Sequence, residues 1–102
     1  MSAVHVETGA DSVSVTLQED LTFSKVAELR PELERALNES AAGGRELTVS
    51  LHNIGSFDLS GVQLLFSLKS GAESRGVTIL FDAGPNADRL SKMLSFTGLP
   101  AL

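Results

Sequence analysis

At 102 residues with 42% hydrophobic content, the chain is long enough for one core and too short for two, and too apolar for disorder. A formal net charge of -5 argues against a nucleic-acid binder, which needs a basic face to replace counterions. The absence of cysteine excludes a disulfide framework and thiolate chemistry. No apolar run approaches the roughly 20 residues of a membrane span.

The first segment, Met-Ser-Ala-Val-His-Val-Glu, has no basic stretch followed by an apolar one, so a secretory leader is not expected and a cytoplasmic location is. Val4 and Val6, then Val13, Val15 and Leu17, alternate with polar residues as two strands do, and Thr8-Gly9-Ala10-Asp11 between them reads as a turn. Glu19 to Phe23 is a loop, in which Thr22 and Ser24 are both candidate helix N-caps. From Ser24 to Ser40 the apolar positions Val26, Leu29, Leu33, Ala36 and Leu37 share one helical face. Pro31 lies inside and lacks an N–H, which predicts a kink or a helix start there. Gly43-Gly44 supplies the left-handed C-cap.

Leu47 to Leu51 alternates again as a strand, and His52-Asn53 with Gly55-Ser56 reads as a turn. Ser60-Gly61-Val62-Gln63 has the form of a capping box, which predicts Ser60 as the N-cap of a helix reaching about Ser74. A hydroxyl at such an end is a plain cap or a place where phosphate is accepted. The polar residues Gln63, Ser67, Ser70 and Ser74 form one stripe, so most of the remaining helix surface is expected to be buried. Val77 to Phe81 is nearly continuous in apolar residues, as in a central strand covered on both faces. Asp82 to Asn86 is a turn, Asn86 is a candidate cap for a last helix bearing Leu90, Met93 and Leu94, and Phe96 and Leu99 are expected to tuck onto the sheet. The order β-β-α-β-α-β-α, with right-handed crossovers, predicts an α/β domain over residues 1–102. Its mixed sheet has four to five strands, with helices packed largely on one face.

Phe57-Asp58-Leu59-Ser60-Gly61-Val62, reached from a strand and followed by an apolar helix, resembles the signature of STAS domains. In the family's bacterial anti-sigma factor antagonists that segment reads roughly Asp-Ser-Ser-Gly-Leu. The likeness covers nearly the whole chain, since Leu17 to Leu37 and Val77 to Pro100 resemble the family's flanking elements. It implies a regulatory protein that binds an anti-sigma factor of the serine-kinase type and is switched by phosphorylation at Ser60. The residues expected to meet a partner are Leu21, Thr22, Phe23, Asp58, Leu59, Ser60, Gly61 and Gln63, of which Leu21, Phe23 and Leu59 are apolar residues expected in loops, where a partner would dock under either reading. The alternative it leaves is a constitutive STAS adaptor in a transport or signalling assembly, for example a chemotaxis-associated one. Two positions depart from the pattern: Leu59 replaces the first Ser, and Thr22 stands where many antagonists carry Asp, with Asp20 nearby.

Several residues have plainer readings. Asp58 serves as a turn carboxylate that binds local amides, or it orients the Ser60 hydroxyl or contacts a kinase-bound metal. Leu59 either packs against Leu64 as a hydrophobic staple or projects as an anchor, and the staple needs only this chain. Ser60, Asp58 and either His5 or His52 are the residue types of a hydrolase triad, but no Gly-x-Ser-x-Gly elbow surrounds Ser60. Two scattered histidines match no metal-ligand spacing, so neither an enzyme nor a cofactor is expected. Oligomeric state is open.

Overall fold

The computed structural model describes residues 4–97. Strands β1 (Val4–Thr8) and β2 (Ser12–Leu17) are followed by helix α1 (Phe23–Gly43), strand β3 (Glu46–Ser50), helix α2 (Leu59–Ser74) and strand β4 (Ile79–Asp82). A single 3-10 turn (Gly84–Asn86) then leads into helix α3 (Ala87–Thr97). The sheet runs β1-β2-β3-β4, with β1 antiparallel to β2 and the other pairs parallel. The chain is thus the expected α/β domain with a four-stranded mixed sheet.

Register explains the core. Val13 pairs with Leu47 and Val15 with Val49, which pair in turn with Ile79 and Phe81. Because side chains alternate across a strand, these residues share one face of the sheet. Leu29, Leu33, Ala36 and Leu37 of α1 and Val62, Leu65 and Leu68 of α2 join them in one buried cluster. The other face carries Ser14, Thr16, Thr48 and Ser50, in register with one another, and these are polar, with Leu80 beside Thr48 as the apolar exception. Alternation read from the sequence is therefore realised in β2 and β3, and Gln63, Ser67, Ser70 and Ser74 form the exposed stripe of α2.

Of the two expectations for Pro31, a helix start there is not met, since the residue lies inside α1. Pro31 is on the exposed side, where water can satisfy the Ala27 carbonyl left without its N–H partner. The helix closes at Gly44, whose φ of 63° is left-handed. Gly44 N–H donates to Ala41 and Arg45 N–H to Ser40, a Schellman closure that engages the last carbonyls.

The expected central, doubly covered last strand is instead the short edge strand β4, with Leu80 51% exposed. Its apolar run reflects one buried face plus Val77, which is buried just before the strand begins. Asn86 does not act as a simple cap. It is buried and donates through Nδ2 to the carbonyls of Leu51 (2.8 Å) and Ile54 (3.3 Å), fixing the loop after β3. Leu90 and Leu94 are buried as expected. Phe96 is 96% exposed rather than tucked in, because it lies off the face carrying those two leucines, and Leu99 lies outside the described residues.

Candidate functional site

Two loops meet where α1 and α2 begin: the one between β2 and α1, and the one between β3 and α2. Leu21 and Phe57 form a parallel bridge. Leu21 N–H donates to Ser56 at 3.0 Å, and Asp58 N–H donates back to Leu21 at 3.1 Å. Residues some 35 positions apart are thus held as a short extra strand pair.

Two carboxylates lace this junction. Asp20 Oδ1 accepts from the amides of Gly55 (2.7 Å) and Ser56 (3.2 Å), and Oδ2 accepts the Ser56 hydroxyl at 3.2 Å. Asp58 Oδ2 accepts from the Phe23 amide at 2.9 Å and Oδ1 from the Gly61 amide at 3.0 Å. The Gly55 amide foremost, then that of Ser56, holds the Asp20 carboxyl below its ordinary 3.8. For Asp58 the Phe23 amide acts first and Gly61 second, with Ser60 contributing, and the direction is again down. Donors aimed at the charged form favour it.

The N-cap of α2 is therefore Asp58, not Ser60. Asp58 is the better cap because it reaches the first turn of α2 and the first amide of α1 at once. Ser60 moves into the first turn, half-buried, and Gln63 is exposed rather than closing a capping box on it. The shift also removes the expected staple with Leu64. Leu59 is the first helical residue and 43% exposed, while Phe57, one residue ahead of the cap, packs against the core. Arg89 lies over the Phe57 ring at 5.1 Å.

Of the residues expected to meet a partner, Leu21 is fully buried and Gly61 is buried as well. Both are packing elements. A Cβ on Gly61 would lie 1.9 Å from the Leu21 carbonyl oxygen, so the glycine is what lets α2 press against the loop. Phe23, at 77% exposure, and Leu59 project outward. Thr22, Asp58 and Ser60 are half-buried and Gln63 exposed, so these six residues remain on one surface at the two helix starts. Sequence reasoning placed Asp20 nearby but missed its lacing role, since its acceptor amides lie far along the chain.

The hydrolase residue types are not assembled. Asp58 is occupied by amides, His52 Nε2 pairs with Asp82 Oδ1 at 2.9 Å, and His5 Nε2 pairs with Glu7 at 3.0 Å. Among the described residues no group of three potential ligands could hold a metal, and no helix is long and apolar enough to cross a membrane. What the site offers is a hydroxyl at a helix start, framed by two outward apolar side chains.

A family model described as "Mlab, STAS domain" matches residues 4–102. The sequence matches none of the curated proteins. Among solved structures, the fold is similar to unphosphorylated SpoIIAA, an anti-sigma factor antagonist (TM-score 0.63, 17% identity, 88% of this chain and 82% of that one). It is also similar to a Thermotoga maritima protein assigned as an anti-sigma factor antagonist (0.72, 14%, 93% and 78%). A third match is the murine solute carrier 26 anion transporter A9 (0.71, 20%, 84% and 14%). The chain spans only 20% of the length of Mglu, which it matches over 80% of its own. At these identities the likenesses speak for the fold alone.

Proposed function

The chain belongs to the STAS domain family, and we propose that within it this protein is an anti-sigma-antagonist-type regulator switched by phosphorylation at Ser60. STAS domains are regulatory binding domains, and the partner in this reading is an anti-sigma factor of the serine-kinase type. The observation that carries it is the position of Ser60, half-buried in the first turn of α2, flanked by exposed Leu59 and with exposed Phe23 tied to the same cap. Phe23 and Leu59 supply apolar anchors, and Thr22 and Gln63 a polar rim.

The geometry suggests how a phosphate would act. It would add about -1.5 to -2 charges two residues from Asp58, at a helix end whose donors Asp58 already occupies. The helix dipole favours the phosphate, but the neighbouring carboxylate repels it. The least costly relief is for Asp58 to give up the Phe23 amide, which loosens the start of α1 and displaces one of the two anchors. Phosphorylation thereby weakens docking both by charge and by shape.

The test is incubation of the protein with ATP and candidate serine kinases encoded beside it, followed by intact-mass analysis and peptide mapping. A single phosphate on Ser60, absent from Ser60→Ala, supports the reading. With Asp58 as the cap, Ser60→Ala and Ser60→Asp should each fold with nearly parental stability. Ser60→Asp should lose partner affinity while Ser60→Ala keeps it, and equal affinity for all three proteins refutes the switch.

A second reading is favoured by the likeness to a transporter domain and by the short span of the chain within Mglu. In it the protein is a constitutive adaptor in a transport or signalling assembly, Ser60 stays unmodified, and the same surface docks. Location in the cytoplasm belongs to either proposal.

A further inference from the structure

The sheet ends at β1 with nothing paired beyond it: among the described residues that strand is joined to β2 alone. Edge strands are usually blunted by proline, lysine, a bulge or a covering element. β1, Val-His-Val-Glu-Thr, has no proline or lysine, and its register to β2 runs without a bulge. Helix α1 does not close the edge either. A groove of about 420 Å³ opens between the two, lined by Val4 and Val6 on the strand and by Arg35, Ala36 and Glu39 on the helix. Val6 is on the core face beside Val15, yet it is left 39% exposed.

The hairpin decides which backbone groups of β1 are free. Gly9 N–H donates to the Ser12 carbonyl at 2.8 Å, which makes these two a hydrogen-bonded pair. Such pairs alternate along an antiparallel ladder, so His5 and Glu7 turn their backbone groups toward Thr16 and Ser14. Val4, Val6 and Thr8 turn theirs outward. A second copy related by a two-fold axis perpendicular to the sheet keeps the two faces aligned and sets outward-turned residues against one another. Centred on Val6, this pairing uses the whole strand: Val4 meets Thr8 of the other copy, Val6 meets Val6 and His5 meets Glu7. About six backbone hydrogen bonds form, and Val6 is covered on its open side. On the polar face two imidazoles and two carboxylates then alternate around the axis, extending the His5–Glu7 pair that each copy already holds at 3.0 Å. Centred on His5 or on Glu7 instead, the strands leave ends unpaired and set like side chains opposite each other, and like charges so placed are destabilising.

We propose that β1 is a self-association edge, through which two copies of this chain pair antiparallel over Val4–Thr8 and double the four-stranded sheet. The inference is independent of the function proposed for Ser60. The contact is smaller than a standard interface, so a dissociation constant of about 10 µM to 1 mM is expected. Sedimentation velocity of the full chain from about 5 µM to 2 mM brackets that range, and amide exchange at Val6 and Thr8 should slow as concentration rises. Val6→Pro removes an outward donor that β2 does not use, a change an edge strand tolerates; circular dichroism should show the parental fold while association is lost. His5→Glu sets carboxylate against carboxylate across the axis and should weaken association about tenfold or more. His5→Glu combined with Glu7→His should restore it, a rescue specific to the register centred on Val6. Should Val6→Pro fail to fold, this charge exchange decides. Ser60→Asp should associate as the parent does. A monomer at every concentration, a dimer indifferent to folded Val6→Pro or to His5→Glu, or no recovery in the combined variant overturns the proposal. Protection of Val6 and Thr8 amides only by a strand of another protein would likewise overturn it and assign the edge to that occupant.

Discussion

Replacing Gly61 by Ala discriminates between two views of this residue with opposite signs. In an isolated helix the change is favourable, since Gly costs about 0.8–1.0 kcal/mol relative to Ala in a helix interior. Here the new methyl carbon would stand 1.9 Å from the Leu21 carbonyl oxygen and 2.5 Å from its carbon. Cβ atoms do not approach closer than 3.0 Å, so helix and loop must separate by roughly 1 Å along that line. The obstacle is backbone, not a flexible side chain, and the same Leu21 carbonyl accepts from Asp58 N–H while Leu21 N–H donates to Ser56. Overpacking costs about 1–3 kcal/mol, and each stretched backbone bond adds about 0.5–1.5 kcal/mol. After the gain in helix propensity, a net loss of about 2–3 kcal/mol is expected, or a fall of roughly 10 °C in the thermal midpoint for a domain of this size. Urea unfolding followed by far-ultraviolet circular dichroism measures it, with an unchanged m-value showing that only stability moved. A variant as stable as the parent, or more stable, would refute the close approach and return Gly61 to the docking surface.

Three further outcomes follow from the same junction and its support. Asp20 and Asp58 have folded-state pKa values below their ordinary value, so the stability each contributes is complete above the unfolded pKa and is lost as pH falls through the folded one. Asp58→Asn and Asp20→Asn should therefore be less stable than the parent near neutrality, with the gap closing in urea titrations below about pH 4; a gap independent of pH would contradict the lacing by charged carboxylates. Leu59→Ser should change stability by no more than about 0.5 kcal/mol, as for surface sites generally, while partner affinity measured by calorimetry falls; a clear drop in midpoint with affinity intact would restore the staple. Asn86→Ala strands two loop carbonyls and should cost about 1–3 kcal/mol, read as a lowered urea midpoint, and a neutral result would mean that water replaces the amide.

Local signals in the sequence were enough for the elements whose burial is set by periodicity. Val13, Val15 and Leu17 alternate because one face of β2 is covered. The spacing of Leu29, Leu33, Ala36 and Leu37 marks the covered stripe of α1, and Gly44 closes that helix through a conformation few other residues adopt. These are short-range consequences of backbone geometry, so they can be read without knowing what packs opposite. The residues at the functional junction were decided at long range. Ser60 and Asp58 both carry acceptable capping signals, and the choice fell to Asp58 because the Phe23 amide, 35 positions earlier, reaches its second oxygen. Leu21 looks like a loop anchor in the sequence, yet it is buried because Gly61 lets α2 close over it. The run from Val77 to Phe81 reads as a doubly covered strand, whereas its place at the sheet edge leaves Leu80 exposed. Pattern records how much of a residue is apolar and how often. Which polar group takes a distant amide, and which face finds no neighbour, is settled only when segments far apart in the chain are brought together.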